Sequence, residues 1–163
     1  MRYYSTFRDH KWLLRQAALG TNDSDDPRTQ ICAIVYDLET FEILSSEPNK
    51  LSKGFEISDL EKFDKYPIML HAEQAALYEY LKNCHPHDVG LAATAACCTE
   101  CAKAIVAAEI KEVITSKAAI DAMPAWKKQI ELGHKILRRA GIKLIILEDI
   151  GSEVLVSGKK VKI

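Results

Sequence analysis

Three of the chain's five cysteines, Cys97, Cys98 and Cys101, fall within five consecutive positions, and His71-Ala72-Glu73 stands upstream of them. Cysteines three apart at the start of a helix lie on one face of its first turn. The unpaired N–H groups at that end favour thiolate over thiol, which is the form a metal needs. One imidazole and two thiolates suit Zn²⁺, and three protein ligands leave the fourth tetrahedral position for water, as in catalytic zinc sites. Zinc would bring the pKa of that water down to about 7. Glu73, two residues beyond His71, is then placed to move protons between water, a ring nitrogen and a leaving amine. C-x-x-C alone also suits a thioredoxin-like redox pair or half of a structural zinc site. The redox pair would not require the His-Ala-Glu segment, and the structural site needs another close Cys or His pair. Cys84, His85 and His87 offer either a second metal set or a polar turn between a helix and a strand.

The periodicity supplies elements to hold these residues. Residues 4–20 carry Trp12, Leu13, Leu14, Ala17 and Ala18 at helical spacing, with Gly20 as a stop. Residues 31–37 and 38–46 read as a hairpin of two strands. Residues 47–67, broken by Pro48, Gly54 and Pro67, are irregular, with a short helix expected near 60–63. Helices are expected over 71–83, 98–109 and 124–139, and strands over 91–95, 112–115 and 143–148. Pro124 and Gly141 punctuate the last helix. The tail from about residue 150 to 163 is expected to be loose or to add an edge strand.

Strands separated by a helix pair in parallel through right-handed crossovers, whereas the opening hairpin is antiparallel. The expectation is an α/β fold, a three-layer α-β-α sandwich around a mixed five-stranded sheet, forming one domain over residues 1–163. The metal-binding segments both begin helices, so they meet at the carboxyl edge of the sheet.

With H-A-E at 71–73 and C-x-x-C at 98–101, the sequence resembles the cytidine/deoxycytidylate deaminase superfamily, whose signature is H-x-E followed by P-C-x-x-C. The likeness runs from about residue 8 to 147, and residues 125–144 are similar to the closing helix and strand of deoxycytidylate-deaminase-like members. It implies a cytidine-deaminase-like fold, with His71, Cys98 and Cys101 as ligands of one catalytic zinc and Glu73 as the proton shuttle. It further implies that Asn49 contacts the substrate sugar and that the backbone of Ala72 binds the pyrimidine carbonyl. Homo-oligomers are also usual in that superfamily. The chain departs from the pattern at Cys97, where the family has proline, at Ala75 in place of asparagine, and at Lys50 and Ser52 around Asn49. These changes bear on the substrate rather than on the zinc chemistry.

Arg28, Lys50 and Lys53 either grip a substrate 5′-phosphate or form a solvated face. Trp126 either covers the pocket or packs in the core. The expected activity is hydrolytic deamination of a cytosine nucleotide, with deoxycytidine monophosphate as the leading substrate. Alternatives are deamination of a nucleoside or another heterocycle such as a purine base, and a non-catalytic, zinc-stabilised interaction module. Intact Glu73 argues against the last of these.

Composition narrows the partners. The 163 residues carry 22 basic and 23 acidic side chains, without the positive excess of a polymeric nucleic-acid-binding face. A small-molecule nucleotide or nucleobase is the partner this balance suits. No apolar stretch reaches the ~20 residues needed to span a bilayer. The first residues lack the apolar core of a signal peptide, so a soluble cytoplasmic protein is expected.

Overall fold

The computed structural model describes residues 8–83 and 88–163. Cys84, His85 and His87, considered above for a second metal, lie outside the described residues, as do residues 1–7. Helix α1 (His10–Gly20) starts after Asp9, whose carboxylate accepts a hydrogen bond from the Trp12 N–H at 2.7 Å. Strand β1 (Cys32–Asp37) runs into a turn held by Asp37, which accepts from the N–H groups of Glu39 and Thr40. That turn delays β2 to Ile43–Pro48, later than its expected start.

The 47–67 region is more structured than expected. It contributes the short strand β3 (Lys50–Leu51), a 3₁₀ turn at Ile57–Glu61 and the one-turn helix α2 (Lys65–Ile68). The strand β4 (Met69–Leu70), which leads to His71, pairs with β3.

Helix α3 (Ala72–Lys82), strand β5 (Val89–Ala93), helix α4 (Thr99–Ala107) and strand β6 (Glu112–Ser116) follow as the hydrophobic pattern dictates. Helix α5 (Lys117–Asp121) replaces the expected loop, because the Ser116 hydroxyl caps it by accepting from the Ala119 N–H. Pro124–Trp126 forms a 3₁₀ turn before α6 (Lys127–Arg139), and β7 (Lys143–Leu147) completes the main sheet.

That sheet has the order β2-β1-β5-β6-β7. β1 is antiparallel to β2 and β5, whereas β5, β6 and β7 are mutually parallel. The strand period of two sends Ala33, Val35, Leu91 and Val113 to one face, where α3, α4 and α6 cover them. Ile34, Tyr36, Ala92 and Ile114 go to the other, under α1 and α5. The three expected layers and the mixed five-stranded sheet are therefore present.

The tail corrects the sequence reading: it is neither loose nor an edge of the main sheet. Strands β8 (Glu153–Val156) and β9 (Lys159–Lys162) form a separate antiparallel hairpin. Val154, Val156 and Ile163 are buried in the same core as α1 and α5, which ties the hairpin to that face. Among the described residues, no helix is long and apolar enough to cross a membrane.

Candidate active site

The parallel strands β5 and β6 end side by side, and the segment after β5 carries Cys98 to the start of α4. Two hydrogen bonds fix that segment. The Ala96 N–H donates to the buried Thr115 hydroxyl at 2.8 Å, and His134 Nε2–H of α6 donates to the Ala96 carbonyl at 2.8 Å. His71 stands immediately before α3, as Cys98 stands immediately before α4, so two helix N-termini converge on one point.

At that point the donor atoms of His71, Cys98 and Cys101 all lie within 4.8 Å of one another. His71 Nδ1 is 3.3 Å from Cys101 Sγ and 3.5 Å from Cys98 Sγ. Donors held tetrahedrally at 2.0–2.3 Å from one ion stand about 3.5 Å apart, so this nitrogen and these sulfurs fit a single zinc. Charge favours the same reading. A hydrogen bond from the Cys101 thiol lowers Cys98 to about 4 against the opposing effect of burial, with a further bond from His71 helping. Donating that proton, together with burial, pushes Cys101 up; the bond to Cys98 raises His71 although burial opposes it. The cluster thus favours a thiolate at Cys98, and His71, Cys98 and Cys101 would hold a zinc with both cysteines deprotonated.

Cys97 is excluded from the cluster. It is buried against the cavity wall, and burial raises its thiol further from the thiolate form. Glu73, in the first turn of α3, is 4% exposed beside the cluster. Burial pushes its carboxyl up to about 7, although His71 works in the opposite direction. A carboxyl there both accepts and releases protons at neutral pH.

His71, Glu73, Cys97 and Cys98 line a cavity of about 360 Å³, a size suited to a small molecule. Trp126 lines it and also packs against both hydrophobic cores, so the two expected roles coexist in one side chain. Its ring meets His71 edge-on with centroids 5.8 Å apart and Tyr66 likewise at 5.3 Å.

Asn49 also lines the cavity, but its side-chain oxygen accepts from the Ser24 hydroxyl and the Ile31 N–H, and its amide donates to the Thr29 carbonyl. Most of its hydrogen-bonding capacity therefore ties the 24–31 loop to β2. Ala72 packs in the core, and its N–H belongs to the first turn of α3, where no preceding helical carbonyl accepts it.

The three basic candidates are not in the cavity wall. Lys50 pairs with Glu47, Lys53 lies on an exposed turn, and Arg28 packs beside Gly158 outside the cavity. The lysines that do line it, Lys65 and Lys159, come from the irregular region and the tail, where periodicity gives no pointer to a site. The Ser157-Gly158 dipeptide, a hairpin-turn signal, was the available clue to the tail.

The description of the zinc-binding region of cytidine and deoxycytidylate deaminases matches residues 7–117. The chain belongs to this family. It is accordingly a zinc-dependent hydrolytic deaminase, with His71, Cys98 and Cys101 positioned to bind the ion. The deoxycytidylate deaminase of cyanophage S-TIM5, in complex with deoxycytidine and deoxyuridine monophosphates, is 27% identical; the match covers 82% of this deaminase and 93% of that chain, with a TM-score of 0.65. The apo form of the same phage protein gives 24% identity over 85% and 96% of the two chains, with a TM-score of 0.64. A guanine deaminase from Nitrosomonas europaea shares the fold at 12% identity and a TM-score of 0.55, covering 84% of this chain and 74% of its own. Among curated protein sequences, none matches.

Proposed function

We propose that this deaminase hydrolyses the 4-amino group of a cytosine nucleotide, with deoxycytidine monophosphate as its substrate. The observation that carries the reading is the buried Glu73 carboxyl beside the His71, Cys98 and Cys101 cluster, lining a cavity of nucleotide size. The 27% identity to a phage enzyme crystallised with deoxycytidine and deoxyuridine monophosphates supports the choice of substrate.

His71, Cys98 and Cys101 would hold the zinc, which when bound supplies an acidified water at neutral pH. Trp126 and Tyr66 offer flat apolar surface against which a pyrimidine ring packs. Glu73 takes a proton from the attacking water and delivers it to ring N3, which makes C4 more electrophilic. The water oxygen forms a bond to C4, giving a tetrahedral carbon. Glu73 then passes the second proton to the amine, the C4–N bond breaks, and ammonia leaves. Burial of Glu73 keeps bulk water from competing for these protons.

Ammonia release from cytosine, cytidine, deoxycytidine, their monophosphates and common aminopurines tests the reading. The highest kcat/KM is expected with deoxycytidine monophosphate. A zinc-loaded protein that deaminates only an aminopurine would contradict it.

A further inference from the structure

We propose that the β8–β9 hairpin, which lies beyond the segment matched by the family, is a specificity element: Lys159 reads the substrate's 5′-phosphate, in a position set by the turn at Ser157 and Gly158. The proposal rests on the reading that the cavity accepts a nucleotide.

The turn is built to be held in place. Ser157 and Gly158 have φ of 52° and 75°, the two successive positive values of the tight turn that joins twisted antiparallel strands. Glycine takes such a φ freely, whereas serine is strained there, and the strain is offset by contacts to both sides of the cavity mouth. On one side the Ser157 N–H donates to the Thr29 hydroxyl at 3.2 Å and the Gly158 N–H to the Arg28 carbonyl at 2.7 Å. On the other the Ser157 hydroxyl donates to the Ala122 carbonyl at 3.3 Å, immediately before the segment leading to Trp126. The Gln30 N–H also donates to the Leu155 carbonyl at 2.8 Å, extending the hold along the strand. The hairpin therefore bridges two walls of the cavity.

Charge then distinguishes Lys159 from its neighbours. Four charged side chains line the described cavity: Asp26, Glu73, Lys65 and Lys159. Glu73 is buried beside the metal ligands. Asp26 is spent on Lys65, with Oδ2 and Nζ 2.8 Å apart, while its other oxygen accepts from the N–H groups of Arg28 and Thr29. Lys160 pairs with Glu153 at 3.2 Å, whereas Lys159 has no acidic partner among the described residues. Lys159 is exposed and lines the cavity together with Thr29 and Ser157, so its positive charge is left unbalanced at that wall. A phosphate monoester matches this end of the cavity, and the base matches the aromatic and carboxyl-bearing end.

Steady-state kinetics on deoxycytidine monophosphate and deoxycytidine, with Lys159→Ala, Lys159→Arg and the control Lys160→Ala, test the assignment. Lys159→Ala is expected to lower kcat/KM for the nucleotide by about 10- to 100-fold, mainly through KM, as loss of a charge-assisted contact does. The nucleoside rate should stay within about twofold. Lys159→Arg should recover most of the loss, and Lys160→Ala should match wild type. If wild type prefers the nucleotide and Lys159→Ala keeps that preference, the hairpin assignment is overturned and the proposed function stands. If wild type acts on no cytosine nucleotide, both are overturned.

Discussion

Gly133 of α6 presses so closely on the Cys97 carbonyl that a β-carbon at this glycine would lie 2.2 Å from the oxygen. The obstacle is backbone, at the segment delivering Cys98 to the cluster, so a flexible side chain cannot move aside to relieve it. Gly133→Ala should cost about 1–3 kcal/mol, the usual range for forcing a methyl group into packed space, and should weaken zinc retention. Thermal unfolding and metal content measured together check this; unchanged values for both would show that α6 does not position the segment.

Replacing both cysteine ligands isolates the metal assignment. Wild type should carry about one zinc per chain, and a Cys98→Ser/Cys101→Ser variant should carry none after dialysis. A full zinc complement in the variant would remove these cysteines from the ligand set.

At the opposite end of the sheet, Glu112 accepts from the Tyr36 hydroxyl at 2.7 Å and meets Lys143 Nζ at 2.8 Å and His10 Nε2 at 2.9 Å. Burial pushes this carboxyl up, but Lys143, Tyr36 and His10 outweigh it and hold the group below the ordinary value of 4.5. As pH falls through that ordinary value, the unfolded chain takes up the proton before the folded one. The stabilisation is therefore present above that pH and is lost as pH drops through the folded value. Glu112→Gln should cost about 1–3 kcal/mol at pH 7 and progressively less on acidification, as followed by denaturant unfolding across pH. A cost independent of pH would contradict the charge-based account.

Trp126→Ala should leave zinc bound while lowering kcat/KM by about tenfold, because a stacking surface is lost without any proton-carrying group. Equal kinetics for the variant and wild type would assign Trp126 to packing alone.

The sequence made the chemical centre legible because its chemistry requires particular residue types at fixed separations. His71, Glu73, Cys98 and Cys101 could be named from the sequence, and short apolar runs marked the strands, but runs buried on both sides did not say which residue faces which layer. The other charged groups that line the cavity were less visible. Lys65 and Lys159 reach the cavity from a short helix and a hairpin whose placement depends on tertiary contacts, such as the burial of Val154 and Val156. Lys50 stands next to Asn49 along the chain, but its side chain pairs with Glu47, and Arg28, in the loop before β1, packs beside Gly158. Proximity in sequence was a poor guide there because nothing in a loop's period reports which way a side chain points. The role of Gly133 depended on a helix crossing the ligand segment at close range, a contact that becomes apparent only in three dimensions.

Ammonia release from deoxycytidine monophosphate by Glu73→Gln protein carrying a full zinc complement tests the central claim most directly. The variant keeps the size of the side chain and removes its ability to carry protons. A fall in kcat of about 10²- to 10⁴-fold is expected, with zinc content equal to that of wild type. Turnover at the wild-type rate would contradict the assignment of Glu73 as the proton carrier and the mechanism built on it.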